Sequence, residues 1–147
     1  MLDDQPKRRL GAILGEAQSN WRSALLAAVE RRNLPVLGAG AEVLARLSLE
    51  GISQSLLPER LGFSKQAVQQ ALDQLERQGL VQRQADPADK RAKRVLLTER
   101  GLYVIEAWRD AEREVEKQFR ALLGRKAFGK LRKGLGKLSV GAGSIRE

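Results

Sequence analysis

Three features of the sequence predict a mainly helical chain with one small β-hairpin. Apolar residues recur at steps of three and four over most of its length, which is the period of amphipathic helices. One stretch departs from that period: Leu80-Val81-Gln82-Arg83-Gln84 alternates like a strand, and Arg94-Val95-Leu96-Leu97 reads as its return partner. Between them, Asp86-Pro87-Ala88-Asp89 is turn chemistry. Ahead of the hairpin stand two short helical segments parted by a turn at Gly62. Residues 52–101 therefore read as a helix-turn-helix followed by a β-hairpin wing, with longer helices on either side.

The second helix of that motif opens at Ser64, a good N-cap residue, and closes at Gly79, a helix-terminating glycine. Ala67, Val68, Ala71, Leu72 and Leu75 form one apolar face. The opposite face is Lys65, Gln66, Gln69, Gln70, Asp73, Gln74 and Arg77. A merely solvated face in so charged a chain would be rich in Glu and Lys, whereas glutamines dominate here. Glutamine can bond bidentately to adenine in the major groove of DNA.

The wing points the same way. Lys90, Arg91, Lys93 and Arg94 crowd the exposed tip of the hairpin, and their mutual repulsion is relieved when a polyanion meets them. A narrow minor groove concentrates negative potential and attracts arginine.

Composition supplies the exclusions. At 147 residues the chain is one domain's worth, and its formal charge of +9 calls for an acidic partner. No apolar run approaches a membrane span, and the N-terminus lacks the apolar core of a signal peptide, so a cytoplasmic protein with no membrane partner is expected. Zero Cys and zero His remove disulfides, thiol redox chemistry and the commonest metal ligand and general base. No carboxylates are paired in an apolar setting that would raise a pKa, so neither an enzyme, a metal site nor a cofactor is expected.

Residues 64–80, Asp86-Pro87-Ala88-Asp89-Lys90-Arg91-Ala92 and Val95-Leu96-Leu97-Thr98-Glu99-Arg100-Gly101 together resemble the winged-helix core of the MarR family of bacterial transcriptional regulators. The family hallmark is an Asp-x-Arg pair in the wing followed by a strand ending in Leu-Thr-x-x-Gly, here Asp89, Arg91, Leu97, Thr98 and Gly101. The resemblance implies that Arg91 enters the minor groove, that Asp89 orients it, and that Lys65, Gln66, Gln69 and Gln70 read bases. Many relatives carry arginine where Gln70 stands, which implies that a guanine contact is missing here. Around these, Ser53, Ser55, Arg60, Ser64, Arg77, Arg83, Lys90, Lys93 and Arg94 are candidate phosphate contacts.

The rest of the chain falls into place around that core. Met1 to Gln5 reads as a disordered lead-in, and Pro6 suits a first helical turn. Leu10, Ile13, Leu14, Ala17, Trp21, Leu25, Ala28 and Val29 then form one stripe, with Gly11 and Gly15 suited to close approach of another helix. A second helix is expected over 36–49. Ser53 or Ser55 should cap a short helix at about 56–61, with Pro58 in its first turn. After the wing, Thr98 caps a helix reaching Leu123, and Leu102, Ile105, Trp108, Ala111, Val115, Phe119 and Leu122 are its apolar positions. Gly124 breaks it, and a basic segment follows with Phe128, Leu131, Leu135 and Leu138 as its stripe. The expected organisation is an N-terminal dimerisation helix over 1–35, a DNA-binding core over 36–98, C-terminal dimerisation helices over 99–138 and a flexible tail over 139–147.

A homodimer is expected because the two outer helices outrun a small winged core, and in MarR-like proteins the first and last helices of two subunits interleave. The resemblance also implies a small-molecule effector, for which Trp21, Arg22, Trp108 and Phe119 are the candidate cleft residues. The reading is thus a sequence-specific regulator of double-stranded DNA, a repressor on a pseudo-palindromic operator. The alternative is an architectural DNA-binding protein without ligand switching, which the basic C-terminal segment and the arginine-poor recognition face favour.

Overall fold

The computed structural model describes residues 9–141, with side chains through residue 139. The described residues pack as two compact units, one spanning 29–110 and the other formed by 9–28 and 111–141. The expectations for Met1 to Gln5, for Pro6 and for the last six residues lie outside the described residues.

The unit over 29–110 is the winged one. It contains α2 (Gly40–Arg46), β1 (Ile52–Ser53), α3 (Leu57–Leu61), α4 (Lys65–Arg77), β2 (Val81–Ala85) and β3 (Lys93–Leu97), together with the ends of α1 (Leu10–Arg31) and α5 (Glu99–Leu123). β2 and β3 pair antiparallel in the expected hairpin, with Val81 opposite Leu97 and Ala85 opposite Lys93. A third strand stands where the sequence suggests only a lead-in to a helix: Ile52 pairs with Val95 and Ser53 with Arg94, giving the order β1-β3-β2. Two residues are too few to show an alternating pattern, so periodicity carries no sign of it.

α4 begins and ends as its sequence dictates. Ser64 Oγ accepts the Ala67 N–H at 3.0 Å, and Gly79, at φ +71°, lets the Leu80 N–H reach back to the Leu75 carbonyl at 2.9 Å. Leu72 and Leu75 are fully buried and Val68 nearly so, alongside Leu37, Val43, Leu44, Leu57, Leu80 and Val95. α2 lies against α4 so closely that a Cβ on Gly40 would sit 2.9 Å from Leu75 Cδ2. At Gly62 the chain turns through a left-handed conformation, φ +68°, a region in which a side chain is strained.

Three expectations change in detail. α2 is half the expected length: Gly38 at φ +51° keeps Val36 and Leu37 out of the helix, and Leu47 turns extended, ψ 148°, to end it. Neither Ser53 nor Ser55 caps α3, which is entered through a 3-10 turn at Gln54–Leu56; the two hydroxyls lie 3.0 Å from each other instead. Pro58 does sit in the first turn. The basic C-terminal segment forms α6 (Arg125–Gly141), so Ser139 is helical rather than part of a flexible tail.

The Leu-Thr-x-x-Gly sequence has a packing reason. Thr98 Oγ1 accepts the Gly101 N–H at 3.0 Å as the cap of α5 and donates to the Gly79 carbonyl at 2.6 Å, tying the start of α5 to the end of α4. The Thr98 N–H meanwhile donates to the Leu80 carbonyl at 3.1 Å. α5 therefore passes so near residue 80 that a Cβ on Gly101 would fall 2.0 Å from the Leu80 oxygen.

The other unit is helical. Trp21 on α1 meets Phe119 on α5 edge to face, with ring centroids 5.2 Å apart, and Val115 and Ala111 are fully buried. Arg120 lies 5.4 Å over the Phe128 ring, and Arg132 on α6 reaches Glu116 at 3.9 Å. Much apolar surface here stays open, including Leu10, Leu122 and Leu138, each more than half exposed. A Cβ at Gly11 or Gly15 would meet nothing within 4 Å, so the close approach suggested by these glycines is absent among the described residues.

The Gly101 contact predicts that Gly101→Ala lowers the unfolding free energy by at least about 2 kcal/mol, because backbone must move. Gly124→Ala, at φ +79° but in open space, should cost about 1 kcal/mol. Urea denaturation of the two variants checks the order.

Candidate nucleic-acid interface

With Leu72 and Leu75 turned inward, helical geometry leaves Lys65, Gln66, Gln69 and Gln70 no choice but the outer face of α4, and all four are exposed. The wing tip is built by its two aspartates. Asp86 is 93 % buried, its carboxylate accepts the Ala88 N–H at 3.0 Å, and its own N–H donates to the Ala92 carbonyl at 2.9 Å. Asp89 accepts the Arg91 N–H at 2.9 Å. Asp89 thus fixes the backbone from which Arg91 projects, and the guanidinium itself stays exposed.

Helix and wing share one groove. Gln54, Ser55, Pro58, Lys65 and Gln69 line one side and Arg91 and Lys93 the other, around an open volume of about 520 Å³. The groove therefore combines side chains suited to base edges with three cations and a hydroxyl suited to phosphate. Arg60, Arg77 and Lys90 are also exposed. Ser64 spends its hydroxyl oxygen on the helix cap.

Two arginines have other work. Arg83, expected among the phosphate contacts, is only 12 % exposed, and its guanidinium bridges Asp73 at 2.6 Å and Glu76 through Nε at 3.1 Å. It is an internal clamp between β2 and α4. Arg94 directs Nε to the Glu50 carbonyl at 2.8 Å and Nη2 to that of Gly51 at 3.2 Å, so it holds the loop entering β1. No short motif marks the partners Asp73, Glu76 and Gln54: Arg83 meets Glu76 only because the chain reverses at Gly79.

The clamp orders the charges around it. The Arg83 hydrogen bond holds the Asp73 carboxyl below the usual carboxylate range, and the same donor does so for Glu76. Asp73 also accepts Gln69 Nε2 at 2.9 Å, and Gln69 Oε1 accepts Gln54 Nε2 at 2.7 Å.

The four candidate cleft residues are divided between the two units. Trp21 and Phe119 line an open apolar hollow of about 550 Å³ with Leu14, Phe128, Leu131 and Leu135. Arg22 is exposed and not among its lining residues. Trp108 belongs to the winged unit, 94 % buried, with Nε1 donating to the Pro35 carbonyl at 3.1 Å. Its helical spacing is that of a core residue. Among the described residues no group of three or more acidic side chains could hold a metal ion, and no helix is long and apolar enough to cross a membrane.

Comparison with known proteins bears on this geometry. The MarR family model matches residues 40–92, from α2 through the wing tip. The fold is similar to that of a probable transcriptional regulator from Pseudomonas aeruginosa, at 28 % identity over 94 % of this chain and 99 % of that one, TM-score 0.71. It is similar to the transcriptional repressor CouR bound to a 23-mer DNA duplex, at 26 % identity over 89 % and 92 % of the two chains, TM-score 0.76. It also resembles MepR of S. aureus in its DNA complex, at 20 % identity over 91 % and 98 %, TM-score 0.73, a likeness of fold alone. The match to the MarR family model thus covers the winged-helix core, and the fold is similar to that of solved transcriptional regulators.

Because Asp73 and Glu76 titrate lower in the fold than in the unfolded chain, their bonds to Arg83 stabilise fully above the usual carboxylate range, about pH 4; this contribution declines as pH falls below that range and is lost through the lowered folded values. Thermal melts between pH 6 and pH 3 should therefore fall more steeply for the natural protein than for Arg83→Met. Parallel curves would show that the clamp contributes nothing.

Proposed function

We propose that this chain is a sequence-specific regulator of transcription that binds double-stranded DNA as a homodimer, with α4 in the major groove and the wing in the minor groove. The observation that carries the reading is the shared groove, where the lysine and glutamine face of α4 stands opposite Arg91 and Lys93. In this reading Lys65, Gln66, Gln69 and Gln70 read bases and Arg91, placed by Asp89, enters the minor groove. Ser53, Ser55, Arg60, Arg77, Lys90 and Lys93 meet phosphates. The protein acts in the cytoplasm and catalyses no reaction. Repression is favoured over activation by likeness to the DNA-bound repressor CouR.

The dimer is supported by what the helical unit leaves uncovered. Leu10 is 78 % and Leu122 82 % exposed, and Ile13, Leu14, Leu131, Leu135 and Leu138 are all exposed as well. Apolar side chains spread over three helices in this way call for a cover, and a second copy supplies one of the same chemistry. An effector that releases the protein from DNA has weaker support, an apolar hollow containing Trp21 and Phe119. The architectural alternative rests on α6, whose exposed Arg125, Lys126, Lys130, Lys133 and Lys137 have no acidic neighbour in their own helix.

Equilibrium binding to a duplex at several salt concentrations tests the interface. Arg91→Ala should weaken binding to every sequence and lower the slope of log affinity against log salt by about 1. Unchanged affinity, or a change confined to one base position, contradicts its placement in the minor groove. Sedimentation equilibrium should return twice the 16.3 kDa chain mass, and Leu122→Glu should shift the protein toward monomer. A natural protein that stays monomeric would refute the dimer.

A further inference from the structure

The polar face of α4 holds a directed chain of hydrogen bonds. Gln54 Nε2 donates to Gln69 Oε1 at 2.7 Å, Gln69 Nε2 donates to Asp73 Oδ1 at 2.9 Å, and Arg83 Nη2 donates to that same oxygen at 2.6 Å. Its direction is set at one end. The Asp73 carboxylate, kept ionised by Arg83, can only accept, so Gln69 must turn its NH₂ toward it and its oxygen toward Gln54. Gln54 must then present its NH₂, which leaves its own Oε1 buried without a hydrogen-bond partner. Turning Gln54 about would set two carbonyl oxygens against each other. A buried unpaired acceptor is costly, so the order imposed from Asp73 prevails over the better solvation of Gln54.

We infer that Gln54 and Asp73 are specificity-determining positioning residues that hold the Gln69 amide in one orientation for reading adenine. The inference rests on the reading of α4 as the base-contacting helix. After its two internal bonds Gln69 keeps one N–H and one oxygen lone pair, the pair needed to donate to adenine N7 and accept from adenine N6. A free glutamine can flip its amide to suit other bases and must give up rotamer freedom on binding. Gln69 is anchored before DNA arrives, so adenine recognition requires less ordering and the flipped orientation requires breaking two bonds. Arg83 extends this control to the wing, because the residue that fixes Asp73 comes from β2.

The test uses the full-length protein and three variants, Gln69→Ala, Gln54→Ala and Asp73→Asn. The natural protein first selects duplexes from a randomised pool, and affinity is then measured for the selected site and its single-base variants at fixed salt. The expected position is the one whose preference Gln69→Ala abolishes, and it should be adenine. Gln54→Ala and Asp73→Asn should each reduce the adenine preference there roughly 2- to 10-fold. Neither removes a positive charge, so the slope of log affinity against log salt on unselected DNA should not fall for either variant. Gln54→Ala lies outside the apolar core and reports on positioning even if Asp73→Asn, which also loosens Arg83, perturbs the fold. Full adenine preference in Gln54→Ala, or a Gln69-dependent position that is not adenine, overturns the inference while leaving the regulator reading intact. Failure of the natural protein to select any motif overturns both.

Discussion

Burial of the apolar face of α4 is the constraint on which the rest of the winged unit depends. Leu72 and Leu75 are wholly excluded from solvent, and at about 25 cal/mol per Å² their burial outweighs any preference of the polar face for a particular direction. The rotation of the helix about its axis is therefore set from within. With 3.6 residues per turn, that rotation leaves Lys65, Gln66, Gln69 and Gln70 outward together. What the helix presents to a partner follows from what it buries.

The wing is attached to that helix more firmly than a surface hairpin need be. Arg83 ties β2 to Asp73 and Glu76, Arg94 ties β3 to the carbonyls of residues 50 and 51, and Thr98 joins the end of α4 to the start of α5. Two of the cations expected among the phosphate contacts, Arg83 and Arg94, are thus used to hold the wing in place. The charge that remains exposed at the tip, on Lys90, Arg91 and Lys93, is carried by a backbone that Asp86 and Asp89 hold in shape.

How much of this is legible in the sequence depends on the range of the interaction. α4, its Ser64 cap and its Gly79 terminus are local, and the pattern of residues 64–79 contains them in full. The hairpin and its turn are local too. β1 escapes because two residues have no period, and α2 is overestimated because Gly38 stops a helix that its apolar neighbours suggest. The site divides in the same way. The exposed glutamine face follows from helical spacing, whereas the Gln54, Gln69, Asp73 and Arg83 chain joins residues 15 and 10 positions apart through tertiary packing. Trp108 is a cleft candidate only through the family resemblance, whereas tertiary packing buries it with Nε1 donating to the Pro35 carbonyl.

The most direct test of a dimeric, sequence-reading regulator is a footprint of the protein on genomic fragments at near-physiological salt, including the DNA upstream of its own gene. Two protected half-sites in an inverted repeat, centred one helical turn or about 34–36 Å apart, are the predicted result. Featureless coverage that disappears as salt rises would contradict it, and would assign the winged fold and the lysines of α6 to architectural binding instead.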